Sequence, residues 1–177
     1  ITAVDLLTGN LIVFTSHPHL YNNTQERTLV ISDISLSKAM RASMSFPLVF
    51  GSMSFDDFAL VDGGLRMNCP VPMLKDYGVD RKIAITMRSK ESESAEVKGA
   101  INVMESVFEI VSQEAEKLHT DKADFLLNIP VGHPNIFDTK LADSIIDQGI
   151  MTLDKNRKEL DAFFREKKSW FSRLISG

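Results

Sequence analysis

Asp62, Gly63 and Gly64 are the residues whose types and order best suit chemistry. They follow Phe58-Ala59-Leu60-Val61, an apolar run that reads as a strand. In open α/β sheets, crevices form at the carboxyl ends of strands. A carboxylate placed there can take a proton from a hydroxyl or orient a nucleophile. Adjacent glycines permit positive φ and the close approach of a second chain segment. The same three residues also read as a plain turn after a strand. Spacing alone leaves both readings open.

The other reactive residue types give weaker patterns. Ser43 and Ser45 stand between a helical segment and Pro47, with no histidine close in sequence. They read as structural serines rather than nucleophiles. Arg41 could meet a phosphate group, but an ordinary salt bridge is the simpler expectation. His17 and His19 form an H-x-H pair, which on a strand would place both rings on one face. Pro18 between them, and the lack of a neighbouring carboxylate, argue against a metal site. His119 and His133 are isolated. Cys69 reads as a small buried filler. No cofactor and no metal is expected.

The elements that would position Asp62 follow from patterning. Ile1–Leu7 and Leu11–Thr15 are apolar runs separated by Thr8-Gly9-Asn10, which predicts a hairpin. Residues 16–28 are polar and read as a loop, and Leu29–Ile31 as a short strand. Ser35 is placed to cap a helix from Leu36 to about Ser43. A second hairpin spans Val49–Gly64, with Asp56-Asp57 at its turn. Pro70 and Pro72 open a short helix over Val71–Tyr77 that Gly78 closes. Lys82–Met87 is a strand, and residues 88–97 form a charged loop. Ile101, Met104, Phe108, Val111, Ala115 and Leu118 recur at helical spacing, predicting a core-packing helix over about 98–119. Ala123–Ile129 is another strand, and a last long helix covers about 140–168. Strands alternating with helices, interrupted by two hairpins, indicate an α/β layer architecture with a mixed sheet.

Composition sets the outer bounds. The chain has 177 residues, 44% hydrophobic and 25% charged, enough for one domain or most of one with a sizeable core. Nine Gly and six Pro exclude low-complexity disorder. A formal charge of −4 argues against a general nucleic-acid binder. The single cysteine excludes an internal disulfide framework. No apolar run reaches the roughly 18 residues of a membrane span. The chain opens mid-strand at Ile1 without a methionine, so a longer parent protein is expected.

With these elements placed, the run Leu36-Ser-Lys-Ala-Met-Arg-Ala-Ser-Met-Ser-Phe-Pro-Leu-Val-Phe50, leading to Val61-Asp-Gly-Gly-Leu-Arg-Met-Asn-Cys-Pro-Val71, resembles the patatin-like phospholipases. Ala39 to Phe50 is similar to the family's A-x-R-A-S-x-S-x-P-x-x-F segment. Asp62-Gly63-Gly64 is similar to its D-G-[AG] motif, and Asn68 with Pro70 to the N-x-P that follows. Thr2-Ala-Val-Asp5 with Gly9, and the Lys82–Met87 strand, are less diagnostic matches. The resemblance covers about residues 1–165, read as the carboxy-terminal part of the catalytic domain; residues 166–177 form a basic and aromatic tail.

The resemblance implies a three-layer α/β/α fold with a mixed, largely parallel central sheet, incomplete in this chain. It implies a lipid acyl hydrolase, a phospholipase or esterase, that uses a Ser-Asp dyad through an acyl-enzyme. Asp62 would be the catalytic acid of the dyad, supported by Gly63, Gly64 and Asn68. The serine would stand in a G-x-S-x-G elbow, after a Gly-rich loop whose N–H groups meet the oxyanion. Neither motif occurs among the 177 residues. The nucleophile is therefore expected on an upstream part of the same protein, and this fragment alone is expected to be inactive. The alternative is a non-catalytic lipid-binding or regulatory module with the same fold. The expected partner is a lipid or ester substrate, with no nucleic acid. Asp161–Ser176 mixes Phe163, Phe164, Trp170 and Phe171 with Arg165, Lys167, Lys168 and Arg173. That mixture suits either peripheral membrane contact or a helix docked on the core.

Overall fold

A computed structural model describes residues 1–21, 26–47, 49–87, 99–131 and 139–165. The expected loop at 88–97, His133 and the tail from 166 lie outside these residues. The chain forms two compact units. One comprises Ile1–Lys82 with Glu96–Lys122, the other Ile83–Ala95 with Ala123–Gly177.

The first unit is built on a five-stranded sheet. Its strands are β1 (Thr2–Asp5), β2 (Leu11–Phe14), β3 (Thr28–Ile31), β4 (Met53–Phe55) and β5 (Phe58–Asp62), in the order β3-β2-β1-β5-β4. Both expected hairpins form. Val4 pairs with Leu11 across the first, where Gly9 takes φ +69°. Phe55 pairs with Phe58 across the second, where Asp56 takes φ +46°. β2 and β3 are parallel, while β1 is antiparallel to both β2 and β5. The sheet is mixed, and its hairpins tip this part of it towards antiparallel pairing.

Side-chain alternation gives the sheet two apolar faces. Val4, Leu11, Val13 and Val61 gather on one with Met67 and Met73. Ala3, Ile12, Phe14 and Leu60 gather on the other with Ala39 and Ala42. α1 (Leu36–Ser43) supplies those two alanines, and Ser35 caps it by accepting the Lys38 N–H. α2 (Gly64–Met67) and the 3₁₀ helix Val71–Tyr77 supply the two methionines. Helices thus cover both faces of the sheet, giving three layers. The Val71–Tyr77 segment is 3₁₀ rather than α, opening at prolines that lack an N–H and closing at left-handed Gly78.

Asp5 ties the two hairpins together. It is only 1% exposed. Its carboxyl accepts from Thr8 N–H (3.1 Å), Thr8 Oγ1 (2.6 Å) and, across the sheet, Ala59 N–H (3.0 Å). From α2, Arg66 donates to the Gly9 carbonyl, tying that helix to the first turn.

α3 (Ala100–Thr120) packs on its unit, but only part of the expected apolar stripe turns inward, with Phe108 and Ala115 half-buried. Met104 and Val111 are exposed, and Leu118 is 69% exposed. The buried positions are instead Glu116 and Thr120, with Ser112 and His119 half-buried beside them. The helix packs this largely polar side against α2 and the Val71–Tyr77 segment. Periodicity locates an apolar stripe but not the surface it meets, and here hydrogen bonds stabilise the opposite side.

In the second unit, β6 (Ile83–Met87) and β7 (Phe125–Ile129) pair in parallel, and Thr86 Oγ1 meets Asn128 Oδ1 at 3.0 Å. α4 (Ala142–Lys155) packs on β7, where Gly149 faces Ile129. The expected single helix over 140–168 is broken at Asn156. The Asn156 side chain donates to the Thr152 carbonyl (2.8 Å), which ends the first helical run; residues 157–165 form a second. Phe163 is buried there, with its ring 5.6 Å from that of Phe125.

Candidate active site

Asp62 is the last residue of β5, paired with Ala3 of β1. Its backbone N–H donates to the Ser45 carbonyl at 3.1 Å. Ser45 is fully buried and is fixed in turn by the end of α1. Its Oγ donates to the Arg41 carbonyl (2.7 Å) and accepts from Arg41 Nη1 (2.5 Å). The guanidinium of Arg41 lies over the Phe50 ring, 5.4 Å from its centroid. Ser45 is therefore structural, as its sequence context indicates. Arg41 makes this polar and cation–π pair in place of the expected salt bridge, among the described residues.

The Asp62 side chain turns back onto its own loop. Oδ1 accepts the Gly64 N–H at 2.7 Å. The residue is half-buried. Burial pushes its carboxyl above the usual carboxylate range, and the Gly64 N–H pulls the other way without cancelling the shift. A carboxyl with raised proton affinity and one oxygen held by the backbone is suited to accept a proton through Oδ2.

The two glycines act through space rather than through positive φ. Gly63 has φ −66°, an ordinary helical value, and Gly64 is not among the positive-φ glycines. A Cβ on Gly63 would lie 2.4 Å from Thr2 Oγ1 and 2.6 Å from the Thr2 carbonyl oxygen. A Cβ on Gly64 would lie 3.1 Å from Asp62 Oδ1 and 3.3 Å from Asn68 Oδ1. The loop is thus pressed against β1 on one side and threaded between two polar side chains on the other. The sequence reading anticipated the close approach but not the ordinary backbone angles.

Asn68 closes α2, and its Nδ2 donates to Glu116 Oε2 on α3 at 2.5 Å. Glu116 escapes sequence reasoning. It lies among several acidic residues on a helix, and nothing in its spacing marks it as the buried one. Cys69 is only partly buried, not the enclosed filler expected. His119, one turn beyond Glu116, has a buried Nδ1 with no hydrogen-bond partner among the described residues. Burial and then Lys122 lower its proton affinity, against an opposing pull from Glu116. The His17 ring is hydrogen-bonded to Ser16 Oγ (2.8 Å), on a 3₁₀ turn rather than a strand. A cavity of about 420 Å³ opens at the same end of the sheet, lined by Phe14, Thr15, Ile34, Leu36, Ala39 and Tyr77 among others. Asp62 is not part of its lining.

The first unit is a mixed α/β sheet with a half-buried carboxyl at the end of a strand. Residues 3–75 match the family model for patatin-like phospholipases. The matched stretch holds β1 to β5, α1, α2 and Asp62, so the patatin-like resemblance is a finding for this part of the chain.

Proposed function

We propose that Asp62 is the acid–base partner of a serine nucleophile in a lipid acyl hydrolase. In this reading, residues 1–165 are the carboxy-terminal part of the catalytic domain, and an upstream segment of the same protein supplies the serine. The observation that carries it is the half-buried Asp62 carboxyl at the end of β5, with raised proton affinity and Oδ1 held by Gly64 N–H. Oδ2 takes the serine proton as the serine oxygen attacks the ester carbonyl. The proton then passes to the leaving alcohol, and an acyl-enzyme remains. Water attacks the acyl carbon next, giving its proton to Asp62, which returns it to the serine. Gly63, Gly64 and Asn68 shape the turn. Residues 166–177 give the protein a peripheral hold on the lipid surface, a role their aromatic and basic residues suit.

The test is hydrolysis of a p-nitrophenyl ester by the intact protein. Removing a general base costs roughly 10²- to 10⁴-fold in rate, and Asp62→Asn is expected to fall in that range. Full turnover by Asp62→Asn would overturn the role. An intact protein that binds lipid vesicles but cleaves no ester would support the non-catalytic module instead. The 177-residue chain by itself is expected to hydrolyse nothing.

A further inference from the structure

We infer that Glu116 on α3 is a positioning residue for the Asp62 turn, acting through Asn68. This rests on the proposed role of Asp62. Glutamate is rarely buried unless paired, because an unpaired carboxyl loses its hydration. Glu116 is 5% exposed, and the Asn68 amide is a partner for it. That bond fixes which way the amide faces. Nδ2 points to α3, while Oδ1 lies 3.3 Å from where a Gly64 Cβ would be. On the other flank of Gly64, the same point is 3.1 Å from Asp62 Oδ1. Gly64 is held between the two side chains, and its N–H in turn fixes the carboxyl at 2.7 Å.

α3 also supports the other side of Asp62. Phe108, two turns before Glu116, packs edge-on against Phe46 with centroids 4.8 Å apart. Phe46 follows Ser45, the residue whose carbonyl holds the Asp62 N–H. One helix therefore braces both the backbone and the side chain of Asp62. Without the Glu116 contact the Asn68 amide is free to rotate, Gly64 gains room, and the carboxyl loses its fixed orientation.

The test combines turnover with amide hydrogen exchange in the intact protein. Glu116→Ala is expected to lower kcat about tenfold with KM unchanged, and to speed Gly64 exchange about tenfold relative to Val61. Glu116→Gln, whose amide oxygen still accepts from Asn68, restores both. Asn68→Ala reproduces the Glu116→Ala result, and the double variant is no worse than either single one. A purely structural role would speed exchange at Val61 and Gly64 alike. That outcome, or unchanged exchange at Gly64 in a folded Glu116→Ala protein, overturns the inference. Should Glu116→Ala fail to fold, Asn68→Ala reads the same bond from its other end, and wild-type behaviour there is equally fatal. Exchange needs no turnover. An intact protein without esterase activity would remove the hydrolase reading and leave this inference to be decided at Gly64.

Discussion

Asp62 sits at a cost to the fold. Its proton affinity is raised above that of an exposed carboxyl, so the ionised form is less favourable in the folded chain than in the unfolded one. The folded state therefore gains from protonation as pH falls through the raised value, and carries the penalty above it. Asp62→Asn removes that penalty and keeps an oxygen to accept the Gly64 N–H. It is expected to raise Tm at neutral pH while lowering turnover by the roughly 10²- to 10⁴-fold proposed above, which thermal denaturation beside the esterase assay will check. The acid limb of the activity profile is expected above the ordinary carboxylate range. Gly63 offers a second residue-scale test. A methyl group there would meet the Thr2 backbone at 2.6 Å. Because that neighbour is main chain and not a flexible side chain, Gly63→Ala should destabilise the protein by about 3 kcal/mol in urea denaturation. The position of Asp62 at a strand end was legible because the apolar run and the D-G-G signal adjoin. The partners Ser45 and Glu116 were not. A backbone carbonyl has no sequence signature, and a buried glutamate looks like an exposed one until its hydrogen bond is seen.

At the scale of elements, one carboxyl links the first hairpin to the second. Burial alone would raise the proton affinity of Asp5, but hydrogen bonds from Thr8, Ala59 and Leu7 to the ionised form outweigh it and leave the value lowered. The sign is opposite to that at Asp62. The stabilisation from Asp5 is complete above its unfolded pKa, about 3.9, and is lost as pH falls through the lowered folded value. Asp5→Ala would remove the shared acceptor of part-buried N–H donors on both hairpins and should cost about 2 kcal/mol at neutral pH. Denaturant titrations at pH 7 and in acid will test it, with the difference between variant and parent shrinking in acid. Both hairpins and the Ser35 cap were legible, since turn and cap residues act locally. The inward side of α3 was not. Of the stripe from Ile101 to Leu118, Met104, Val111 and Leu118 turn outward, whereas Glu116 is buried and bonds to a residue 48 positions away.

For the whole molecule, the five-stranded sheet carries the Asp62 loop and is covered on both faces. The two-stranded sheet of the other unit leaves Ile85, Met87 and Leu126 exposed. The α/β class could be read from alternating elements, but the division into two units could not. β6 and β7 are separated in sequence by α3, which clusters with the first unit. Peripheral membrane contact belongs to this scale. Liposome flotation of the intact protein, with and without residues 168–177, should show reduced binding on truncation; equal binding would remove that role from the tail.

Strand β1 links two aspartates of opposite temperament: Asp5 at its end, and Asp62 paired across from Ala3. Burial raises the proton affinity of Asp62 while hydrogen bonds lower that of Asp5, so Asp62 loses its charge first as pH falls. Between those two points lies an interval in which Asp62 is neutral while the contacts of Asp5 stay whole. If Asp62 has the proposed role, acid in that interval stops turnover and neutralisation restores it, with no need to refold.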